Sequence, residues 1–232
     1  MVMAEATNHY FKHLGVSDGL SQVCIPSIYQ DELGAVWLGT TEGLNRYNGK
    51  DVRVFQPSES NHGLTNNEIN ELCGDKNGRM YIRSGNDLIK LDIYTEQFTC
   101  LRQKGVYGLF CKKDTLWVSC ADGIYYYTGQ GTELTFFARV QKGFVGRALY
   151  VDRETVWVVT RKYLVAISRE DPLRQEILLT LDKGNCILGD SSGNIWVGAW
   201  NGLYRVSPDR ETTAYVSHSG MGELSDNQRA GR

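Results

Sequence analysis

One pattern of residues recurs five times along the 232 residues of this chain, and that recurrence limits the fold more than any other feature. The clearest copy has a polar turn Asp31-Glu-Leu-Gly34, an extended run Val36 to Thr40 with Trp37 inside it, a turn at Gly43 and a second run Leu44 to Tyr47. The last copy nearly repeats it: Asp190-Ser-Ser-Gly193, Ile195 to Ala199 around Trp196, Gly202, then Leu203 to Val206. Between them stand Asp75-Lys-Asn-Gly78 with Tyr81, Leu116 to Val118 around Trp117, and Val156 to Val158 around Trp157. The aromatic anchors Trp37, Tyr81, Trp117, Trp157 and Trp196 therefore follow one another at roughly 40 residues, the period of a β-propeller blade.

Read strand by strand, the first repeat contains four strands. The inner one spans about Ile25 to Gln30, and Asp31 to Gly34 turns the chain because Asp bonds its own backbone and Gly tolerates positive φ. Val36 to Thr40 alternates, with Trp37 and Gly39 on one face and Val36, Leu38 and Thr40 on the other. Leu44 to Tyr47 is the third strand, Asn48-Gly49 is a strong hairpin signal, and Val52 to Phe55 is the outer strand. A large aromatic in each blade suits the gap between neighbouring sheets, so Trp37, Trp117, Trp157 and Trp196 are expected to be buried between blades. Gly39, two residues after Trp37, leaves room for a neighbouring backbone. The copies diverge elsewhere: Arg83 stands where the others have Gly, Ser or Val, and Arg161-Lys162-Tyr163 replaces Thr41-Glu42-Gly43.

The resulting expectation is an all-β propeller of four-stranded antiparallel blades, at about 16–57, 62–102, 105–138, 142–180 and 184–216, with 217–232 beginning a sixth. Because the repeats stop inside that sixth, the chain reads as part of an incomplete propeller, with a closed five-bladed ring as the alternative. An open arc or strained ring that self-associates is expected of it, since unpaired sheet edges invite association.

Composition narrows function. Twenty-five Lys and Arg against 27 Asp and Glu give a net charge of −2, without the basic excess that a nucleic-acid surface needs. No 18-residue apolar run is present, and Met1 to Thr7 lack the apolar stretch of a signal peptide. The six cysteines form no Cys-x-x-Cys and fall mostly in predicted strands, which favours small buried apolar residues over disulfides or metal ligands. His9 and His13 are four apart, but outside a helix that spacing does not put them on one face, so no metal site is expected. No cofactor motif is present, and neither is Gly-x-Ser-x-Gly, His-Glu-x-x-His or a phosphate-binding loop.

The copies read Asp-x-x-Gly-x-Trp-(Ile/Leu/Val)-Gly-Thr-x-x-Gly-Leu-x-x-Tyr, preceded by His13 to Ser21 and, one repeat later, by His62 to Asn67. This resembles the two-component regulator propeller repeat over about residues 10 to 228. The resemblance implies the periplasmic sensor region of a hybrid two-component system of the Bacteroidetes type, and a seven-bladed propeller of which this chain is the incomplete front part. It implies an oligosaccharide ligand and, as further partners, the rest of the sensor chain with its kinase and a second copy in a homodimer.

In such a blade, the loop that enters the inner strand and the turn between the second and third strands share one face, opposite the Asp-x-x-Gly turns. The turn positions on that face differ in every copy, so the candidate ligand contacts are Trp200, Asn201, Arg161, Lys162, Glu42 and Asp122. Trp200 has Thr41, Ala121 and Arg161 as equivalents. It either packs on a neighbouring blade or offers its face to a sugar ring while Asn201 bonds hydroxyls. Arg161 and Lys162 either read a sulfate or carboxylate or are solvated loop charges. An enzyme of the lyase or glycosidase type needs a converging acid and base. The acids Glu42, Asp87 and Asp122 come from three different blades and nothing marks a pair, so no catalytic residue is assigned. A protein-interaction propeller is the remaining alternative.

Overall fold

The computed structural model describes residues 13–57 and 63–216. They form five four-stranded antiparallel sheets, each from consecutive strands in simple up-and-down order. Blade 1 comprises β1 (Ser27–Gln30), β2 (Val36–Thr40), β3 (Gly43–Tyr47) and β4 (Val52–Phe55). Blade 2 comprises β5 (Ile69–Gly74), β6 (Arg79–Ser84), β7 (Asp87–Asp92) and β8 (Gln97–Arg102). Blade 3 comprises β9 (Val106–Lys112), β10 (Thr115–Cys120), β11 (Gly123–Tyr127) and β12 (Thr135–Ala138). Blade 4 comprises β13 (Gly146–Val151), β14 (Thr155–Thr160), β15 (Tyr163–Ser168) and β16 (Gln175–Thr180). Blade 5 comprises β17 (Cys186–Gly189), β18 (Ile195–Ala199), β19 (Gly202–Val206) and β20 (Thr212–Val216). Two single-turn 3-10 segments, Val16–Asp18 and Gln141–Gly143, are the helical elements among the described residues. The first inner strand starts at Ser27, two residues after the sequence places it, because Pro26 cannot donate to a ladder.

The hydrophobic core is divided among the blade junctions. Trp37 is fully buried against Ile69, Leu72 and Ile82 of blade 2. Tyr81 packs with Leu109 and Val118 of blade 3, Trp117 with Leu149 and Val158 of blade 4, and Trp157 with Val197 and Val206 of blade 5. These four anchors therefore point at the following blade, and each removes apolar surface worth roughly 4–6 kcal/mol of gross transfer free energy. Gly39 is required where it stands, since a Cβ there would lie 2.8 Å from Ile69 Cγ2.

Two expectations need correction. Trp196 is only partly buried, stacked on Tyr215 at 6.0 Å, because no described residue forms a sheet beyond blade 5 to cover it. The cysteines are not uniformly buried: Cys24, in the irregular segment before β1, and Cys186, on the uncovered side of blade 5, are exposed. His9, His62 and the residues read as a sixth blade lie outside the described residues.

Candidate functional site

Hydrogen bonds between turns and loops, most of them backbone to backbone, build one face of the molecule. The turn between the second and third strands of each blade is tied to the loop that enters an inner strand. Ser21 Oγ meets Thr40 Oγ1 at 2.9 Å, and the Gly85 N–H donates to the Glu68 carbonyl at 2.7 Å. The Ala121 N–H donates to Gly105 O at 2.7 Å, Gly184 N–H to Arg161 O at 3.0 Å, and Trp200 N–H to Asp182 O at 2.9 Å. These bonds set the 41–42, 85–86, 121–122, 161–162 and 200–201 turns on the same side of their sheets as the loops leading inward.

Trp200 is a surface residue, 75 % exposed, and does not pack on the neighbouring blade. Its ring carries the ammonium of Lys183 at 4.7 Å from the centroid, a cation–π contact that holds one face and leaves indole surface open. The 182–184 loop bridges Arg161, whose carbonyl it engages through Gly184, and Trp200, whose N–H it accepts at Asp182. Arg161 and Lys162 are exposed; Lys162 O accepts the Leu181 N–H at 2.6 Å, which fixes the turn and leaves the cationic heads outward. Asn201 is half-buried, and its Oδ1 is buried without a hydrogen-bond partner. Blades 4 and 5 thus bring together an aromatic face, two cations and an amide.

Asp122 belongs to a different part of the same face. It lines a cleft of about 530 Å³ between blades 3 and 4 with Arg139, Gln141, Lys142 and Phe144, within the size range of ligand sites. Its Oδ1 accepts from Arg102 Nη2 and its Oδ2 from the Tyr125 hydroxyl, each at 2.8 Å. Partial burial opposes the charge, but these two bonds outweigh it and lower the pKa, so Asp122 is an anion at neutral pH. Glu42, on blade 1, is exposed and its carbonyl accepts Gln56 Nε2 at 2.8 Å; nothing connects it with the cluster on blades 4 and 5. Asp87 is engaged by the Lys104 N–H at 2.6 Å.

The opposite face is more repetitive but not empty. Asp31 Oδ2 accepts the Trp37 indole N–H at 2.7 Å, Asp152 that of Trp157 at 2.6 Å, and Asp190 that of Trp196 at 2.9 Å. The indole bond and the Asn194 amide hold the Asp190 carboxyl down at about 2. In blade 2, where Tyr81 has no indole, Asp75 pairs instead with Arg79 at 2.5 Å. The Asp therefore clasps the aromatic anchor as well as making the turn, a role signalled in the sequence by an Asp five or six residues before each of these tryptophans. This side also carries a charged cleft of about 450 Å³ under blade 4, lined by Arg153, Glu154, Arg169, Arg174, Glu176 and Arg210 among others. The sequence gives no sign of that cleft, because its charges come from separate turns.

A second polar feature lies between blades 2 and 3. Glu71, on β5, faces Arg83 across the β5–β6 ladder at 3.4 Å and accepts the Leu109 N–H of β9 at 3.1 Å. Arg83, which departs from the repeat, thus has its charge partner in the adjacent strand. Burial drives the Glu71 pKa up to about 7 although Arg83 and the Leu109 N–H pull the other way. Among the described residues no group of three or more His, Cys, Asp or Glu side chains gathers as a metal-binding cluster. Nor is any helix among them long and apolar enough to cross a membrane.

Comparison with known proteins agrees with this architecture. The profile of the two component regulator propeller family matches residues 19–42. A 53-residue stretch is 38% identical to histidine kinase P4 of Formosa agariphila, covering 23% of this chain and 4% of that one. The extracellular domain of a hybrid two component system from B. thetaiotaomicron superposes with a TM-score of 0.76 at 23% identity, covering 87% of this chain and 31% of that one. A streptogramin B lyase superposes with a TM-score of 0.66 at 16% identity, over 85% of this chain and 70% of the lyase. This chain thus spans a third or less of the sensor proteins it resembles, and the structural likenesses establish the propeller fold alone.

Proposed function

We propose that this chain, which carries a two-component regulator propeller repeat and resembles extracellular sensor domains, is a ligand-sensing propeller of a hybrid two-component sensor. Its ligand is an oligosaccharide, and it signals to a kinase elsewhere in the assembled receptor. The sensor works outside the cytoplasm, in the periplasm, as the extracellular domains it resembles suggest. One observation carries the ligand class: an indole 75 % exposed, held by Lys183, beside the half-buried amide side chain of Asn201 and two outward cations. A flat apolar platform flanked by a few oriented polar groups suits a sugar ring, whose axial hydrogens stack and whose hydroxyls bond amides. Arg161 and Lys162 suit a sulfate or uronate on that sugar. Asp122, tied to Arg102 and Tyr125, is a fixed acceptor on blade 3 and acts in positioning.

Calorimetry with a panel of glycosaminoglycan and plant oligosaccharides tests this. Trp200→Ala is expected to weaken binding by about 1–3 kcal/mol, the magnitude of aromatic stacking on a planar base. Its unfolding midpoint should match wild type, since the side chain contributes little core. Equal affinities for wild type and variant would remove Trp200 from the site. Release of shortened glycan products, lost on replacing Glu42, Asp87 or Asp122, would replace the sensor reading with an enzymatic one.

A further inference from the structure

We propose that Cys73 and Cys111 are a disulfide site that covalently locks blade 2 to blade 3. Both are thiols in this structure, and their Sγ atoms lie 2.7 Å apart. Cys73 is on the inner strand β5 and Cys111 on the inner strand β9, and both pack against the cluster around Tyr81, Leu109 and Val118.

The fold itself produces the juxtaposition. At each junction, the inner-strand residue paired with the aromatic anchor of one blade reaches toward a fixed position on the next inner strand. The first set of residues is Tyr29, Cys73, Phe110 and Tyr150, paired with Trp37, Tyr81, Trp117 and Trp157. The second set, one blade on, is Gly74, Cys111, Val151 and Gly189. Tyr29 covers Gly74 so closely that a Cβ there would lie 2.1 Å from its hydroxyl oxygen, and a Cβ at Gly189 would lie 2.1 Å from Tyr150 Cζ. Phe110 and Val151 belong to one cluster. Three junctions are thus filled by a ring on a small or branched residue. The junction of blades 2 and 3 has cysteine at both positions, where neither side chain alone fills the space that a ring occupies elsewhere.

The chemistry needs an external oxidant, a small-molecule disulfide such as oxidised glutathione. One cysteine thiolate attacks it, forming a mixed disulfide and expelling one glutathione thiolate. The second cysteine then attacks the mixed disulfide, forming the Cys73–Cys111 S–S bond and releasing the second glutathione. Two thiols are oxidised, two electrons and two protons pass to the oxidant, and no other reactant is required. None of the other four cysteines has a sulfur neighbour among the described contacts, so none is placed to close an intramolecular bond. Burial raises the Cys73 thiol pKa, so thiol attack through this residue quickens as pH rises.

Peptide mapping of the folded chain after exposure to oxidised glutathione tests the assignment. Trypsin separates the two cysteines into peptides 54–76 and 105–112, each with no other cysteine. The expected product is these two peptides joined by a reducible bond. The melting temperature should fall by about 10 °C when the bond is reduced, since it closes a loop of 38 residues. Cys111→Val, which copies the Val151 of the next junction, should abolish both the linked peptide and the shift. Recovery of both peptides unlinked from the oxidised wild-type chain, or of either linked to another cysteine, overturns the proposal.

Discussion

At the scale of single residues, charge is placed where the repeat either needs it or departs from itself. Asp31, Asp152 and Asp190 recur because each makes its turn and receives an indole N–H, so each is held from two directions. Glu71 is the departure, and its titration has a definite sign. The folded pKa of about 7 lies above the ordinary glutamate value near 4.3, so the fold binds this proton more tightly than the unfolded chain. Its contribution to stability is fully present below about pH 4, declines as pH rises, and is spent above pH 7. Although 29 % of the Glu71 side chain is exposed, the carboxyl is enclosed by β5, β6 and β9. Some solvent screening remains, which reduces the effect to roughly 1–3 kcal/mol across that window. Urea midpoints at pH 5 and pH 8 should therefore differ in the wild type and converge in Glu71→Gln. Parallel pH dependence in the two proteins would show that another group is responsible. The sequence shows Arg83 as an irregularity but not its partner, because Glu71 reaches register with it only through a bulge at Ile69 to Glu71.

At the scale of elements, what is local in sequence was legible and what depends on a neighbouring blade was not. Asn48-Gly49 marks its hairpin because the turn chemistry is contained in four residues: Asn48 Oδ1 accepts the Lys50 and Asp51 N–H groups, and Gly49 has φ +97°. The alternation of β2 is likewise visible, with Trp37 directed at blade 2. The glycines of the inner strands look like weak strand residues until the preceding blade is in place. Gly74 lies beneath the Tyr29 ring, and the Tyr29 hydroxyl is itself buried without a partner. Gly74→Ala should cost about 1–3 kcal/mol through overpacking. Chemical denaturation checks this, with Tyr29→Phe,Gly74→Ala as a companion: relief of crowding by loss of the hydroxyl should return part of the loss. An unchanged midpoint in Gly74→Ala would mean that the two strands are further apart than described.

At the scale of the whole molecule, the two sides of the propeller solve different problems. The Asp-turn side repeats one structural solution in blades 1, 4 and 5 and a variant of it in blade 2, so its turns were legible. The other side presents Thr41, Gly85, Ala121, Arg161 and Trp200 at the first position of equivalent turns, and that variety suits one irregular ligand. The six residues read from sequence as ligand contacts do not form one patch. Trp200, Asn201, Arg161 and Lys162 are gathered by the 182–184 loop, Asp122 lines a separate cleft, and Glu42 stands apart on blade 1. Nothing in a linear pattern could separate these groups, because their spacing is set by the arrangement of the blades. The core links each blade to the next from 1 to 5, and the far side of blade 5 shows Leu188 and Leu203 to solvent in the described residues. The most direct test of a ligand face is amide hydrogen exchange of the sensor domain with and without a bound oligosaccharide. New protection is expected at 161–163, 182–184 and 200–202, with the 31–34 and 190–193 turns unchanged. Protection confined to the Asp-turn side, or to the arginine-lined cleft under blade 4, would contradict it.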